Sequence, residues 1–205
     1  MRAAVFHSPA KTLSIEEIPR PEVKPGHLLL RVLACGVCRT DLHITEGELP
    51  PRLPAVVPGH QIAGTVVSGN TEEISLGARV GVSWIGGTDG TCPYCRRGFE
   101  NLCDNPTFTG YSVNGGYAEY ALVRSDFAFP LPSALDPLHA APLLCAGIIG
   151  FRSVRVAGVE KGDRVGLFGF GASAHLVISV LRAWECEVSQ TRGRTGCGLG
   201  GQRKR

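Results

Sequence analysis

Short hydrophobic segments separated by proline and glycine turns fill about the first two thirds of the chain, and they limit its fold more than any other feature. Segments of strand length such as HLLLRVLA and QIAGTVV recur from Ala3 to about Phe129, with turn residues between them. The remaining segments of this kind are AAVF, LSIEEI, ARVGVSW and YAEYALV. This pattern predicts an all-β, barrel-like domain.

The pattern changes near Leu138, where the segment LHAAPLLCAGIIGFRSVRVAG has the length of a helix. Pro142 is tolerated near the start of this helix, and Gly158 is a typical residue to end it. The segment from Asp163 to Val188 then has the pattern of an apolar strand, a glycine turn, an apolar helix and the start of another strand. This order is typical of the opening of a βαβ unit, so we predict a second domain of the α/β type.

The length of 205 residues allows one complete domain with a sizeable core and part of a second one. A hydrophobic content of 43% and a charged content of 19% are typical of a globular protein rather than a disordered one. We therefore divide the chain into a β domain (1–137), a linker helix with the start of a second domain (138–188), and a tail (189–205).

The tail, SQTRGRTGCGLGGQRKR, has five glycines, five basic residues and almost nothing apolar. It cannot supply the rest of a parallel sheet, so we interpret it as a shifted reading frame or a misplaced gene end, with a real, disordered basic tail as the alternative. Without these five charges the formal net charge falls from +3 to −2. The remaining chain therefore gives no electrostatic reason to expect nucleic acid or an anionic membrane as a partner.

The amino terminus does not resemble a signal peptide, and we expect no membrane-spanning segment. These features favour a cytoplasmic protein. Eight cysteines in a reducing compartment do not indicate a disulfide framework, and three of them lie close together in CPYCRRGFENLC. That spacing is typical of metal ligands.

Two thiolates and an imidazole, with a fourth position for water or substrate, are what a catalytic zinc needs. Cys38, His60 and Cys145 offer this set, although spacing alone would not group them. They lie in the segments GVCRTDLH, PGHQIAG and LLCAG. With these segments the sequence resembles the zinc-containing medium-chain alcohol dehydrogenases over residues 1–188, and most of all bacterial members whose cofactor loop also has the sequence GFGASAH.

The resemblance implies an α+β fold: a GroES-like β-barrel catalytic domain, followed by the first strand–helix unit of a Rossmann-type NAD(P)-binding domain that is truncated. It implies a zinc-dependent enzyme that interconverts a small alcohol with an aldehyde or ketone, using NAD or NADP. Full-length members of the family are typically homo-oligomers. We expect the 205-residue chain, which lacks most of the cofactor domain and the usual dimer surface, to be inactive or nearly so.

The resemblance also implies residue roles around the three zinc ligands. Thr40 matches the hydroxyl that starts a proton relay, and His43 matches the imidazole that carries the proton to solvent. Asp41 matches a carboxylate that orients the ligand histidine, and Arg39 matches a contact to the cofactor pyrophosphate. Gln61 departs from the glutamate that is common in the family, and we expect it to slow ligand exchange at the metal.

The segment DGTCPYCRRGFENLC resembles the structural zinc lobe of the family, which carries four cysteines. Cys92, Cys95 and Cys103 match three of these positions, and Asp89 occupies the first. A carboxylate oxygen can bind zinc, so we predict a site of one aspartate and three cysteines that is weaker than a four-cysteine site. Damage to the site is the alternative.

The segment GFGASA lies between an apolar strand and a helix, as a dinucleotide-binding turn requires. Gly169 permits the tight turn, Gly171 allows close approach of a pyrophosphate, and Ala174 replaces the third glycine of the pattern. Arg192, a candidate reader of the NADP phosphate, lies in the tail and carries no prediction.

Three alternatives accompany this interpretation. Cys35 and Cys38 form a CxxC pattern of the redox type, but we interpret their context as a strand end rather than a helix start, and Cys35 as a core residue. A non-catalytic zinc-binding module of the GroES-like type is the second alternative. The third, a zinc-free reductase of quinones or enones, lacks the cysteine and histidine ligands.

Overall fold

The computed structural model describes residues 1–10 and 12–191. The chain divides into two compact units, of which the first is Met1–Cys145 and the second begins at Ala146. The division therefore falls within the predicted linker helix, eight residues after the boundary inferred from the sequence. All three candidate ligands of a catalytic zinc belong to the first unit.

The first unit is built from short antiparallel strands. The five-stranded sheet has the order β10-β6-β5-β3-β9, the three-stranded sheet has the order β2-β1-β4, and β7 pairs with β8. The strands are β1 (Arg2–His7), β2 (Leu13–Glu17), β3 (His27–Gly36), β4 (Ala55–Val56), β5 (Gln61–Ser68), β6 (Arg79–Val82), β7 (Ile85–Gly87), β8 (Thr107–Phe108), β9 (Tyr120–Arg124) and β10 (Ala128–Pro130). Each of the six predicted strand segments contains residues of one of these strands, so the all-β prediction is confirmed.

Alternate residues of the five-stranded sheet form the main core of this unit, as the period of a strand requires. Leu28 and Leu30 of β3 are fully buried, and Ile62 of β5 lies with them. Burial of each such side chain contributes about 1.5–3 kcal/mol. The other members of the cluster are Val66, Ile74, Val80, Val82, Ala121, Val123 and Ala128. This rigid sheet ends next to the segments that carry Cys38 and His60.

A short helix that the sequence did not suggest follows β3. Helix α1 (Arg39–Thr45) begins directly after Cys38, which is its N-cap residue. The CxxC pattern therefore runs from a strand end to a helix start, and the interpretation that it has no helix start was wrong for Cys38. Because only three residues separate Cys35 from the helix, this geometry turns the chain sharply.

The predicted linker helix is present but interrupted. Helix α2 (Pro137–Pro142) is followed by a π-helical turn (Leu143–Gly147) and then by α3 (Ile148–Val156). Asp136 caps α2 by accepting a hydrogen bond from the Leu138 N–H at 2.9 Å. Gly158 has the positive φ of 67° that ends such a helix. Single π-helical turns occur often at functional sites, and this one contains Cys145.

The combined helical segment Pro137–Val156 is 20 residues long with a hydropathy of 1.3, which is long and apolar enough to cross a membrane. The expectation that no segment meets this criterion was therefore too strong. Core helices of water-soluble proteins meet the same criterion, and Ala140 and Ala141 of this segment are buried.

The second unit contains the predicted strand–helix–strand order. Strand β11 (Arg164–Phe168) leads to α4 (Ala172–Ala183), which returns to β12 (Glu187–Thr191), and the two strands pair in parallel. Val154, Val177 and Leu181 form its buried core. Strand β12 extends three residues into the segment that we assigned to the tail. The rest of that tail, 192–205, lies outside the described residues.

Candidate metal centres

Two clusters of metal-ligating side chains that contain cysteine lie among the described residues of the first unit, apart from the group of His43 with two glutamates. We call the first the distant centre, because its residues Cys38, His60 and Cys145 lie far apart in the sequence. Their ligand atoms nevertheless all lie within 4.8 Å of one another. Cys38 Sγ and Cys145 Sγ are 3.8 Å apart although 107 residues separate them in the chain. His60 is 1% exposed. The fold thus brings together the three residues that the resemblance implied as zinc ligands.

Three different structural elements supply these side chains. Cys38 is the N-cap of α1, His60 directly precedes β5, and Cys145 lies in the π-helical turn. None of the three lies in the interior of a regular strand or α-helix. Each ligand is therefore fixed by the junction between elements rather than by a single element.

Asp41 connects two of these junctions. Its carboxylate accepts hydrogen bonds from the Cys38 N–H at 2.8 Å and from the Gly59 N–H at 3.2 Å. It also accepts one from the Tyr117 hydroxyl at 2.9 Å, and Asp41 Oδ1 lies 3.6 Å from Nδ1 of His60. Asp41 is 4% exposed, and burial raises the pKa of its carboxyl, but these partners lower it more, so the net pKa is lowered.

The electrostatics of the distant centre favour a bound cation. Burial lowers the pKa of His60, but the neighbouring Asp41 and Cys145 raise it to about 10. Burial raises the pKa of Cys38, but hydrogen bonds with Thr40 together with the neighbouring His60 and Cys145 lower it more, so the net pKa is lowered. His60 Nδ1 is buried and has no hydrogen-bond partner among the described residues. Two half-buried sulfurs and one buried imidazole, with the carboxylate of Asp41 beside it, match the donors that zinc takes.

The relay residues implied by the resemblance lie on α1. Thr40 Oγ1 is 3.7 Å from Cys38 Sγ, and His43 follows one turn later on the same face. His43 Nδ1 is hydrogen bonded to Glu48. The sequence had not indicated Glu48 as a residue of this site. Arg39 is exposed and lies 3.8 Å from the carboxylate of Glu46. His43 forms a close, largely exposed group with these two glutamates.

Gln61 is buried at the first position of β5, directly after His60. A neutral amide therefore stands where the family commonly has a carboxylate. The prediction that it slows metal exchange has no test in the geometry and stays a prediction.

The lobe centre consists of Asp89, Cys92, Cys95 and Cys103, whose ligand atoms also lie within 4.8 Å of one another. Cys92 and Cys103 are buried, and Cys95 is half-buried. Backbone N–H groups point at the sulfurs: that of Cys95 lies 3.5 Å from Cys92 Sγ, and that of Asp89 lies 3.4 Å from Cys103 Sγ. Three sulfurs and one carboxylate form a donor set that zinc accepts.

Asp89 is held firmly in this lobe. Its Oδ1 accepts from the N–H groups of Cys92 at 3.0 Å and Thr91 at 2.9 Å, and its Oδ2 accepts from Asn105 Nδ2 at 3.1 Å. These hydrogen bonds hold the pKa of Asp89 well below its usual range. The Asn105 N–H also lies 3.3 Å from Cys103 Sγ. Asn105, which sequence reasoning missed, therefore contacts two of the four residues.

The glycine turn has the predicted position in the second unit. Gly169 follows β11 with a φ of 88°, a conformation that favours glycine. Gly171 is the N-cap of α4, and Ala174 lies in the first turn of that helix. The amino terminus of a helix offers free N–H groups and a positive dipole end to a phosphate. Arg192 lies outside the described residues.

Comparison with known proteins agrees with this geometry. Residues 24–133 match the family described as the alcohol dehydrogenase GroES-like domain. The chain belongs to the zinc-binding, medium-chain alcohol dehydrogenases. A Mycobacterium tuberculosis protein named alcohol dehydrogenase AdhA is 47% identical over 86% of this chain and 53% of its own length. The chain therefore spans about half the length of the curated relatives that it matches.

Solved structures of this family have the same fold. A cobalt- and zinc-bound alcohol dehydrogenase from Pyrobaculum aerophilum superposes with a TM-score of 0.85 at 28% identity, over 95% of this chain and 60% of that one. Acetophenone reductase from Geotrichum candidum, in complex with NAD, has a TM-score of 0.81 at 27% identity, over 92% of this chain and 57% of that one. The predicted fold, a GroES-like barrel followed by the start of a Rossmann-type domain, is confirmed.

Proposed function

We propose that this chain carries the metal-binding part of a zinc-dependent alcohol dehydrogenase, which interconverts an alcohol with an aldehyde or ketone using NAD or NADP. The observation that carries the proposal is the convergence of Cys38, His60 and Cys145 to within 4.8 Å from three separate segments. Each of these residues alone could be an ordinary core residue, since isolated cysteines and histidines are often buried. A core role does not require their ligand atoms to meet at one point, so the convergence favours a metal site.

The chain's own residues would hold the metal and move the proton. Cys38, His60 and Cys145 would bind zinc, which supplies a Lewis acid that polarises the oxygen of the alcohol. The hydroxyl of Thr40, beside Cys38, would hydrogen bond to the oxygen of the alcohol and relay its proton, giving up its own proton as it receives one. His43 would pass that proton to solvent, which its 34% exposed side chain reaches. Asp41 would orient His60, and Gln61 would leave the ligand set unchanged.

The second unit would bind the cofactor pyrophosphate. Gly169 and Gly171 carry no side chain where the turn leads into α4, although the exposed Phe170 lies between them, and Ala174 keeps the first turn of the helix small. Arg39 stays a candidate cation for the cofactor phosphates through its resemblance to the family alone. NAD or NADP supplies hydride transfer, and the relative from Geotrichum candidum in complex with NAD supports a nicotinamide cofactor.

The lobe centre would hold a structural zinc through Asp89, Cys92, Cys95 and Cys103. Such a site stabilises a segment with little hydrophobic core of its own. The lobe fits this role because Tyr94, Phe99 and Leu102 between its cysteines are all exposed. The bound metal would therefore replace the missing core.

For the whole protein we propose a small alcohol or aldehyde as substrate, a cytoplasmic location, no nucleic-acid or membrane partner, and homo-oligomers for full-length relatives. The 205-residue chain alone is expected to turn over slowly or not at all. In its second unit the described residues form only two parallel strands, β11 and β12. An adenosine pocket of the doubly wound type needs more of the sheet.

Metal content and cofactor binding test the proposal together. We expect the purified chain to contain two zinc ions by mass spectrometry and to lose one of them in the variant Cys145→Ser. Saturable binding of NAD or NADP by a protein that carries this chain with a complete second unit, followed by fluorescence, would support the enzyme. Zinc without cofactor binding in that protein would instead indicate a non-catalytic zinc-binding module, and a metal-free chain would overturn both.

A further inference from the structure

Tyr117 lies on the segment that leads into β9 and is half-buried beside the distant centre. Its hydroxyl donates to Oδ2 of Asp41 at 2.9 Å. The segment is also attached through its backbone, since the Tyr117 N–H donates to the Pro58 carbonyl at 3.0 Å and the Gly116 N–H donates to the Gly59 carbonyl at 2.8 Å. Tyr117 thus approaches the centre from a part of the chain that supplies no ligand.

The ring of Tyr117 also fixes the segment that precedes His60. A Cβ atom added to Gly59 would lie 2.6 Å from Cδ1 of this ring, so the backbone packs directly on the aromatic face. Gly59 has a φ of 93°, which a residue with a side chain rarely adopts. The ring and the hydroxyl therefore contact both sides of one junction: the backbone before His60 and the carboxylate that faces it.

Asp41 depends on this hydroxyl for its orientation. A buried carboxylate is stable only when hydrogen-bond donors surround it. Asp41 has three such donors, of which the N–H groups of Cys38 and Gly59 belong to the two ligand segments. The Tyr117 hydroxyl is the donor that belongs to neither segment. Without it, the carboxylate could rotate away from the Nδ1 atom of His60, which lies 3.6 Å from Oδ1.

We propose that Tyr117 is a positioning residue of the distant metal centre, acting through Asp41 on Cys38 and His60. The proposal rests on the proposed function, because it assumes that this centre holds zinc. Tyr117→Phe keeps the ring on Gly59 and removes only the hydroxyl. Changes to groups that orient metal ligands typically weaken metal affinity, and we expect a loss of about tenfold at the lower end of that effect.

The test uses the zinc-loaded 205-residue chain and a colorimetric chelator. The zinc-release phase that disappears in Cys145→Ser belongs to the distant centre, and the other phase belongs to the lobe. We expect Tyr117→Phe to weaken only the distant phase. Tyr111→Phe is the matched control, because the Tyr111 hydroxyl donates to the Pro50 carbonyl, and we expect it to change neither phase.

A double-mutant cycle distinguishes positioning from a general loss of structure. If Tyr117 acts through Asp41, Tyr117→Phe has no further effect on zinc affinity in the Asp41→Asn background. The proposal for Tyr117 would be overturned if Tyr117→Phe changed the zinc affinity of the distant centre less than twofold, or if the effects of the two substitutions were additive. The metal centre itself would not be overturned by either result. Absence of a release phase that depends on Cys145 in the original chain would overturn the metal centre itself.

Discussion

The distant centre and the lobe centre offer similar ligands but are assembled in opposite ways. Residues 38, 60 and 145 come from three elements, whereas the lobe draws its four residues from the single segment 89–103. In the distant centre a buried carboxylate orders the ligands. In the lobe, backbone N–H groups order the sulfurs directly.

This difference teaches which part of each site depends on the fold. A local site needs only a loop of the right length, and its geometry is formed by hydrogen bonds between near neighbours. A distant site needs a folded sheet to bring its ligands together, so its affinity for metal includes the stability of the whole first unit. Substitutions that affect one centre should therefore leave the other unchanged.

Removal of a ligand from the distant centre should have the largest effect. We expect His60→Ala to release one of two zinc ions completely, because two thiolates are insufficient for a stable zinc site. Metal analysis of the purified variant checks this outcome. The matched change His139→Ala, at an exposed histidine outside both clusters, should retain both ions. Loss of both ions from His60→Ala would show that the centres are not independent.

Replacement of Asp89, the carboxylate among three cysteines, should strengthen zinc binding in the lobe. We expect Asp89→Cys to bind lobe zinc about tenfold more tightly, equivalent to about 1.4 kcal/mol, because a fourth thiolate replaces the carboxylate. Chelator competition measures the change. Asp89→Ala should release the lobe zinc faster than the original chain. Equal affinity for all three chains would mean that Asp89 caps the loop through Thr91 and Cys92 without binding metal.

A change in the network around Asp41 should affect the distant centre alone. We expect Asp41→Asn to weaken zinc there about tenfold to a hundredfold, since the amide faces His60 with less negative charge. The chelator-release assay reads this effect. Asp104→Asn, in the lobe segment but outside both clusters, is the control and should leave the distant phase unchanged. A weaker lobe phase in Asp41→Asn would contradict the separation of the two centres.

The smallest expected effect concerns Gln61. We expect Gln61→Glu to speed zinc exchange at the distant centre by a few fold without changing the ion count, because a carboxylate next to His60 can approach the metal transiently. Exchange of isotopically labelled zinc, followed by mass spectrometry, measures the rate. An unchanged exchange rate would show that Gln61 does not control metal exchange at the distant centre.

The sequence predicted the longer strands and the βαβ opening because their apolar patterns are local and have at least four residues. Strands β4, β7, β8 and β10 have two or three residues each, too few to show a period. Helix α1 escaped prediction because its seven residues immediately follow a strand, and its capping by Asp41 is visible only in three dimensions. The helix around Cys145 was predicted, but its π-helical turn was not.

The candidate sites also differ in how much of each could be predicted from the sequence. The spacing of Cys92, Cys95 and Cys103 indicates a metal site without further knowledge. Cys38, His60 and Cys145 could be grouped only through family resemblance, because spacing does not report which strands become neighbours. Tyr117 and Asn105 carried no signal: Asn105, between Asp104 and Pro106, is an ordinary turn residue, and Tyr117 belongs to no ligand pattern.

The π-helical turn that holds Cys145 also marks the end of the first unit. The three proposed ligands of the distant centre thus lie on one contiguous stretch, ahead of the glycine turn proposed for the cofactor. If both proposals hold, recombination downstream of the π-helical turn would exchange the nucleotide preference and keep the metal centre. The junction is therefore a natural crossover point for engineered chimaeras.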